Sequence, residues 1–589
     1  MPTVFHLLAG CADPGGGASH SSDGPYVSIP EQQLLRSVPV FGGTLESAPA
    51  IDGFVSADPE GNQVVRIVGD TVTALDLGEN ARPFRIHVED ATAWVTLRGS
   101  GELVEVDLGA MTETWRTRVC GEPRGVDRSP EGPLVVACAD GPIAEVDDTN
   151  GGELLRSKFV APDLRDIVAV GDQLYVSRFT SATVLVVDPR VLITVEEHVL
   201  HLDARVAWRM RKDPLVENGV AVLHQLTRPV VLVLDPTPPG GTYYPTAPPP
   251  GGGCGRLHET VVTRDTELGP PDTSHGLDQV RLATDFAFGP ARSVSFVSTG
   301  AEPGSPGVVE YLNGLTTLWG GTSGCITGEG IDVPLSGRPS AVAYDEQGAL
   351  YIQTASPFGI VRADVDTTTV TATRGDPTLT APQFFHTAAD ASGVACASCH
   401  PEGLEDGNVW TFAKPDGTVM LRRTMPLAGM LLSREPYHWN GDLADADALL
   451  ADTYLIRMGG GTYDPDLPTA LFEWLDDLRP VRALPLVPPE EVAEGEEAFV
   501  RAGCADCHLG DAFTNNEITY GPLRVGSDPV KTPSLIGVGS RSPLLHDGCA
   551  ETIEERFLPP CDDGLDRHGR ISLMSTSELN ALIGYLRSL

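Results

Sequence analysis

The chain has 589 residues, of which 41% are hydrophobic, and its formal net charge is −40 at pH 7. This length exceeds one ordinary domain, since about 150 residues per domain is the usual prior. The negative charge argues against nucleic-acid binding, because a phosphate backbone would be repelled. The sequence contains no run of roughly 20 apolar residues, so no transmembrane helix is predicted.

Residues 1–30 have features of an export signal. A short apolar run ends in the letters LAGC at residues 8–11, which is similar to a bacterial lipoprotein signal, and a Gly/Ser-rich tether follows. No Lys or Arg precedes the run, which departs from such signals, and the alternative is a free segment of no significance. We predict a lipid anchor at Cys11 that holds the protein in the periplasm or at the outer surface of a Gram-negative bacterium.

Residues 31–380 carry a recurring pattern of short strands with a period of about 40 residues. Clear copies begin at Arg82, Glu122 and Leu164, and turns rich in Gly, Asp and Pro separate their strands. Such a period is typical of β-propeller blades, similar here to YVTN-type or NHL-like propellers, whereas a pair of β-sandwiches is the alternative. We predict an all-β propeller of about seven blades that serves as a docking surface or a cap over a substrate. The Pro/Gly tract at 236–255 is predicted to be an exposed loop in the fifth blade.

The cysteines outside Cys11 fall into two groups, four in paired motifs and six elsewhere. An even number of remaining cysteines fits disulfides in an oxidising compartment. The pairs that sequence proximity favours are Cys120–Cys138 and Cys549–Cys561, which leaves Cys254–Cys325.

Two C-x-x-C-H motifs follow the repeats. Two thiols three residues apart can reach the two vinyl groups of one haem, and the next histidine then lies under the iron as the proximal ligand. A redox dithiol would not need that histidine, and a zinc site would need a second ligand pair close by. We therefore predict two covalently bound haem c groups with their iron. The residues that would bind them are Cys396, Cys399 and His400 for haem one, and Cys504, Cys507 and His508 for haem two.

The regions 381–485 and 486–589 have the pattern of a tandem duplication. His400 precedes His438 by 38 residues, and His508 precedes His546 by the same 38 residues. Each region closes with an amphipathic helical pattern, and Ser575 and Glu578 predict a capping box at the start of the second. Two tandem all-α c-type cytochrome domains are therefore predicted behind the propeller.

The paired motifs, the stretches KTPSLIGV and SPLLHDG, and the closing ELNALIGYLRSL resemble the bacterial di-haem cytochrome c peroxidase family. That family includes the enzyme that matures methylamine dehydrogenase, and the resemblance covers about residues 381–589. It implies one electron-transfer haem, one peroxide-reacting haem, hydrogen peroxide as a substrate, and a protein electron donor or acceptor. The propeller is a departure from the simplest members.

The sixth iron ligand decides the chemistry, because an iron with two strong protein ligands transfers electrons, whereas an open iron can bind peroxide. Met458 is the candidate sixth ligand of haem one, with Met425 and Met430 as competitors. His568, at the corresponding place in the second half, is the candidate for haem two, and a surface histidine is the alternative.

The resemblance also implies roles for side chains that do not bind iron. His438 and His546 are similar to the histidine of the family's HDG motif and are expected in the haem pockets as tentative catalytic residues. Trp410 and Trp439 are candidates for the tryptophan that relays electrons between haems, with ordinary packed aromatics as the alternative.

We therefore expect an extracytoplasmic di-haem cytochrome that transfers single electrons, with peroxidase activity as a further expectation from the resemblance. Peroxide cleavage would need an acid/base group, for which Glu402 and Glu405 are candidates, although they are equally compatible with solvated surface charges. The alternative function is a non-enzymatic electron relay whose propeller binds a redox partner or a protein substrate.

Overall fold

The structure is a computed structural model of the chain. It describes residues 38–233, 254–266, 269–273, 276–301, 305–311, 325–331, 335, 337–363, 368–374, 380–389, 391–414, 417–485, 487–519, 529–562 and 564–589. The predicted lipid anchor at Cys11 and nearly all of the Pro/Gly tract lie outside these residues.

Seven four-stranded antiparallel sheets follow one another along the described part of the first 374 residues. The strands of blades one to four are β1–β4 (Leu45–Ala48, Gly53–Asp58, Gln63–Val68, Thr71–Asp76), β5–β8 (Pro83–Glu89, Thr92–Leu97, Glu102–Asp107, Thr112–Arg118), β9–β12 (Pro123–Arg128, Leu134–Cys138, Pro142–Asp147, Glu153–Phe159) and β13–β16 (Leu164–Val170, Gln173–Arg178, Thr183–Asp188, Ile193–Val199). Those of blades five to seven are β17, β18, β20 and β21 (Ala204–Lys212, Gly219–Thr227, His258–Thr266, Gly269–Thr273), β23–β25 and β27 (Phe286–Phe288, Val294–Val297, Val308–Tyr311, Glu329–Ile331) and β28–β31 (Arg338–Tyr344, Leu350–Ala355, Phe358–Ala363, Thr368–Arg374).

The sheets close into a ring, which makes this region a β-propeller. Each blade packs apolar side chains against its neighbour, and the last blade packs against the first in one buried cluster. At that junction the rings of Phe54 and Tyr351 lie 4.1 Å apart. Such radial stacking buries faces that a single blade would leave in water. The prediction of a propeller with about seven blades is therefore confirmed.

The prediction of two tandem all-α cytochrome domains is wrong. Only 18% of the residues that the structure describes are helical, and the seven α-helices among them are mostly short. They are α1 (Thr380–His386), α2 (Cys396–Cys399), α3 (Ala446–Leu449), α4 (Leu467–Asp477), α5 (Pro489–Arg501), α6 (Ile553–Arg556) and α7 (Thr576–Ser588), with a π-helical segment at Leu450–Arg457. The physical reason is that only the opening and closing segments carry a full apolar stripe, whereas the Gly- and Pro-containing stretches between them form turns and short strands. Those strands are β32 (Val409–Ala413), β33 (Val419–Arg423), β34 (Ile518–Thr519) and β35 (Val530–Lys531).

The last hundred residues are built on α5 and α7. These helices approach most closely at Gly495, where a Cβ atom would lie 2.1 Å from the carbonyl oxygen of Ala581. Ser575 and Glu578 form the capping box at the start of α7 that the sequence analysis relied on. This pair of helices therefore has its own packing interface, as the amphipathic patterns predicted.

The propeller and residues 381–485 share a hydrophobic core. One buried cluster contains Trp208 and Phe286 from the blades together with Phe385 of α1 and Leu471 of α4. The short strand β19 (Val231–Val233) also leaves blade five and pairs in parallel with β32. The boundaries at 380 and 485 remain predictions, but extensive contacts cross the first of them.

All three predicted disulfides, Cys120–Cys138, Cys254–Cys325 and Cys549–Cys561, are present. None of the helices in the described ranges is long and apolar enough to cross a membrane. Strands β22 (Gly276–Leu277) and β26 (Cys325–Ile326) pair in parallel beside the second of these disulfides.

Candidate haem-binding sites

The first C-x-x-C-H motif folds as one helical turn followed by a tight bend. Cys396 and Cys399 lie in α2 as free, half-buried thiols. The Nδ1 atom of His400 lies 3.3 Å from the carbonyl oxygen of Leu404. A backbone carbonyl oxygen beside Nδ1 is a usual partner of a metal-ligating histidine. Burial lowers the pKa of His400 to about 4, so the ring is held neutral, as a ligand must be.

A cavity of about 250 Å³ adjoins this motif. Its wall is mostly apolar and aromatic, and it also contains both thiols of the motif and His400. The principal apolar lining residues are Leu232, Phe384, Phe385, Trp410, Phe412, Leu427, Leu431, Met458, Leu471, Phe472 and Leu475. An apolar cavity bordered by two thiols and an imidazole fits a covalently attached porphyrin.

Five buried cationic side chains also line this cavity, of which Arg423 pairs with Glu405. Lys531, Arg434 and Arg541 are 3%, 6% and 9% exposed, and none of them forms an ion pair with a described carboxylate. The Nε atoms of both arginines have no hydrogen-bond partner, and burial lowers the pKa of each guanidinium to about 10. Uncompensated buried charge is costly, so this set favours an anionic occupant. The two propionates of a haem are such groups, and the residues present therefore fit it.

The second motif lies in a more exposed setting. Cys504 is half-buried and Cys507 is exposed, and both are free thiols. The Nδ1 atom of His508 lies 3.1 Å from the carbonyl oxygen of Phe513. The two motifs thus present their histidines in the same way.

His568 lies opposite His508. The centroids of the two rings are 6.3 Å apart, with an angle of 33° between their planes. Two imidazoles that ligate one metal from opposite sides place their centroids roughly 6 Å apart, since a metal–nitrogen bond is about 2 Å long. Burial lowers the pKa of His568 well below its usual value, with smaller contributions from nearby Arg556 and His508. The spacing therefore fits the predicted sixth ligand of haem two.

The structure brings Met458 and Met425, but not Met430, to the cavity beside the first motif, called below the haem-one cavity after the predicted cofactor. Met458 is 3% exposed and packs in a cluster with Cys396, Cys399 and Trp410. A core methionine and an iron ligand would both be buried, so burial does not separate these two interpretations. The position of Met458 beside the two thiols of the motif favours the role of ligand.

The two histidines of the HDG-like loops occupy different positions. His438 lines the haem-one cavity, is partly exposed, and places Nδ1 3.3 Å from a carboxylate oxygen of Asp442. His546 is buried outside that cavity, with its ring 6.2 Å from Trp439. These two histidines therefore have equivalent positions in the sequence but different surroundings in the structure.

Trp410 and Trp439 both line the cavity, and only Trp439 also reaches the second half of the molecule. Its Nε1 donates to the carbonyl oxygen of Arg423 at 2.6 Å, while its ring faces His546. His546 is near enough to His568 to contribute to its lowered pKa. An aromatic and imidazole series therefore runs from the haem-one cavity towards the ligands of haem two.

The propeller contributes a histidine to the first site that was not predicted from the sequence. His258, on β20, places Nε2 3.3 Å from the thiol of Cys399 and packs edge-to-face on Trp410. No sequence signal marks His258, because it is one of several isolated histidines.

Glu402 is 3% exposed, which excludes its alternative interpretation as a solvated surface charge. Its carboxylate accepts from arginines of the propeller, of which Arg124 and Arg165 recur at the blade period. That recurrence was the available signal: an arginine stands in the innermost strand of each of blades two to five. These arginines are Arg85, Arg124, Arg165 and Arg209.

Comparison with known proteins gives no family assignment. No protein-family model and no curated protein matches the chain. Solved structures match the propeller portion: hydrazine synthase of Kuenenia stuttgartiensis is 16% identical, with 59% of this chain and 99% of that chain covered and a TM-score of 0.41. Virginiamycin B lyase of Staphylococcus aureus (10% identical, 55% and 96% covered, TM-score 0.37) and the Pan2 WD40 domain of Neurospora crassa (10%, 55% and 95%, 0.37) are similar at the same level. Likenesses this distant carry no argument about function.

Proposed function

We propose that the protein is an extracytoplasmic di-haem c-type cytochrome that transfers single electrons. The observation that carries the proposal is the site at His400, where two free thiols, a neutral imidazole and uncompensated buried cations surround one apolar cavity. A bound haem supplies an iron that alternates between the ferric and ferrous states. Three disulfides support an oxidising compartment, and the periplasmic location and lipid anchor at Cys11 are part of the proposal.

The surroundings of the two sites favour electron transfer over substrate binding at iron. Met458 at the first site and His568 at the second are placed to serve as sixth ligands, and such pairs of protein ligands suit electron transfer. Trp439 and His546 lie between the two sites and offer polarizable groups along the route. The family resemblance to di-haem peroxidases remains part of this proposal.

Peroxide reduction is the second candidate activity. The observation in its favour is His438, which lines the cavity with Asp442 beside its Nδ1 atom and so could exchange a proton at Nε2. Electron paramagnetic resonance of the half-reduced protein separates the candidates. A high-spin ferric signal that peroxide consumes would favour the peroxidase, whereas low-spin signals that peroxide leaves unchanged would favour the electron carrier.

Replacing the thiols of one motif is expected to remove one haem and leave the other. In Cys396→Ser/Cys399→Ser the thioether bonds of haem one cannot form, and in Cys504→Ser/Cys507→Ser those of haem two cannot form. We expect covalently bound haem, measured by intact mass and by haem staining after denaturation, to fall from two per chain to one in each double variant. A chain matured with the c-type apparatus that carries no covalent haem, or carries zinc, would contradict the proposed function.

Replacing Met458 by Ala is expected to convert ferric haem one from low spin to high spin, because the iron loses a strong ligand. The matched control is Met425→Ala, which removes another methionine that lines the same cavity. Optical and paramagnetic spectra would show the change in the first variant alone. A spectral change in the control, with Met458→Ala unaltered, would transfer the ligand role to Met425.

A further inference from the structure

Glu402, two residues after His400, forms ion pairs with buried arginines of the propeller. Glu402 places one carboxylate oxygen 2.5 Å from Arg165 and the other 2.7 Å from Arg98 and 3.4 Å from Arg124. These arginines, named here the arginine socket, come from blades two, three and four. Their side chains are 0% to 8% exposed, so the contact is excluded from water.

The arginine socket is itself held in place. Arg165 donates to the carbonyl oxygen of Phe41 at 2.8 Å. Arg98 and Arg124 share the carboxylate of Glu122, at 2.6 Å and 2.9 Å. Because the blades hold the three arginines in place, Glu402 has little freedom to move. A buried ion pair of this kind specifies position more than it adds stability.

The bend between Glu402 and His400 transmits this constraint. The amide of Gly403 donates to the carbonyl oxygen of His400 at 2.9 Å, and the carbonyl oxygen of Leu404 lies beside His400 Nδ1 at 3.3 Å. Glu402 itself has φ of 59°, a left-handed conformation that costs a non-glycine residue about 1–2 kcal/mol. The socket stabilises this bend, and the bend orients the imidazole.

We propose that Glu402 is a positioning residue for haem one: the propeller, acting through the arginine socket, orients His400 and sets the electrostatic environment of that haem. This inference rests on the proposed function, because it requires a haem at His400. It assigns the propeller a role in tuning one redox centre in addition to any role in docking.

The charges of Glu402, Glu122 and the arginine socket predict the direction in which the potential of haem one changes when one of them is replaced. Three arginines and the carboxylates of Glu402 and Glu122 leave one positive charge in excess. Replacing Glu402 by Gln adds a positive charge near haem one, which stabilises the reduced iron, whereas replacing Arg165 by Gln removes one and stabilises the oxidised iron. A unit charge roughly 10 Å away at an effective dielectric of about 20 changes the ratio of oxidised to reduced haem on the order of tenfold.

The experiment is a spectroelectrochemical titration of both haems in the full-length holoprotein and in the variants Glu402→Gln, Arg165→Gln and the double variant. We expect the potential of haem one to rise in the first, fall in the second and return towards the wild-type value in the double variant, with haem two unchanged. The matched control is Glu145→Gln, which breaks an ion pair with Arg156 in blade three away from the motif.

Shifts of the same sign in both single variants, or equal shifts of both haems, would overturn the proposal, since they would indicate only general damage to the fold. Unchanged potentials in all variants would overturn it as well. If Glu402→Gln does not fold, Arg98→Gln is measured in its place beside Arg165→Gln. Both arginine variants must then lower the potential of haem one. Absence of covalent haem in the wild-type protein is a different result, because it would contradict the proposed function itself.

Discussion

Removal of residues 31–380 is expected to unfold the haem-one half and to leave the haem-two half folded. The reason is the shared core, in which Phe385 and Leu471 pack with Trp208 and Phe286 of the blades. Without the blades these side chains, and the β32–β33 hairpin that pairs with β19, would be exposed to water. Limited proteolysis and circular dichroism of the 381–589 fragment, matured with haem, would measure the loss.

Two controls make this result interpretable. The fragment 486–589 is expected to stay folded, because α5 and α7 pack on one another with their own buried residues. In the full chain, Phe286→Ala is expected to cost about 3–5 kcal/mol of unfolding free energy and to affect both the propeller and the haem-one half in one transition. A 381–589 fragment that resists proteolysis over its whole length would show that the two parts are independent.

Replacing His568 by Ala is expected to open haem two. The ring of His568 lies 6.3 Å from that of His508, centroid to centroid, a spacing that leaves room for an iron between them. Removing one of two nitrogen ligands converts a low-spin ferric iron to a high-spin iron with an accessible site. Paramagnetic resonance should show a high-spin signal that added peroxide alters, while haem one keeps its spectrum.

The matched variant is His546→Ala, which removes a buried imidazole next to Trp439 that is not placed opposite His508. It should leave the spin state of haem two unchanged, although electron exchange between the haems is expected to slow. A low-spin haem two in His568→Ala would assign the sixth ligand to another residue.

The local features of this chain were predictable from sequence, and the long-range ones were not. The blades were found because each needs only adjacent strands and turn residues, and the capping box of α7 because it spans four residues. The all-α prediction failed because apolar stripes such as that of α4 were extended to the Gly- and Pro-containing stretches beside them. The partner of Glu402, Arg165, lies 237 residues away in sequence, and no local pattern joins such a pair.

The same reasoning explains the mixed outcome at the haem sites. The two motifs are short, and in the structure both hold free thiols and a histidine with Nδ1 beside a backbone carbonyl oxygen. The cations that line the first cavity come from both halves, since Arg434 precedes the second motif and Lys531 follows it. Their convergence depends on tertiary packing alone, and no local sequence pattern distinguishes these residues.

The contact between His258 and Cys399 implies an order of maturation. Nε2 of this blade-five histidine lies 3.3 Å from the thiol, so the propeller packs against the sulfur that would form a thioether. Under the proposed function, haem would therefore be attached to the first motif before blade five packs against it. The second motif would require no such order, because the thiol of Cys507 is exposed.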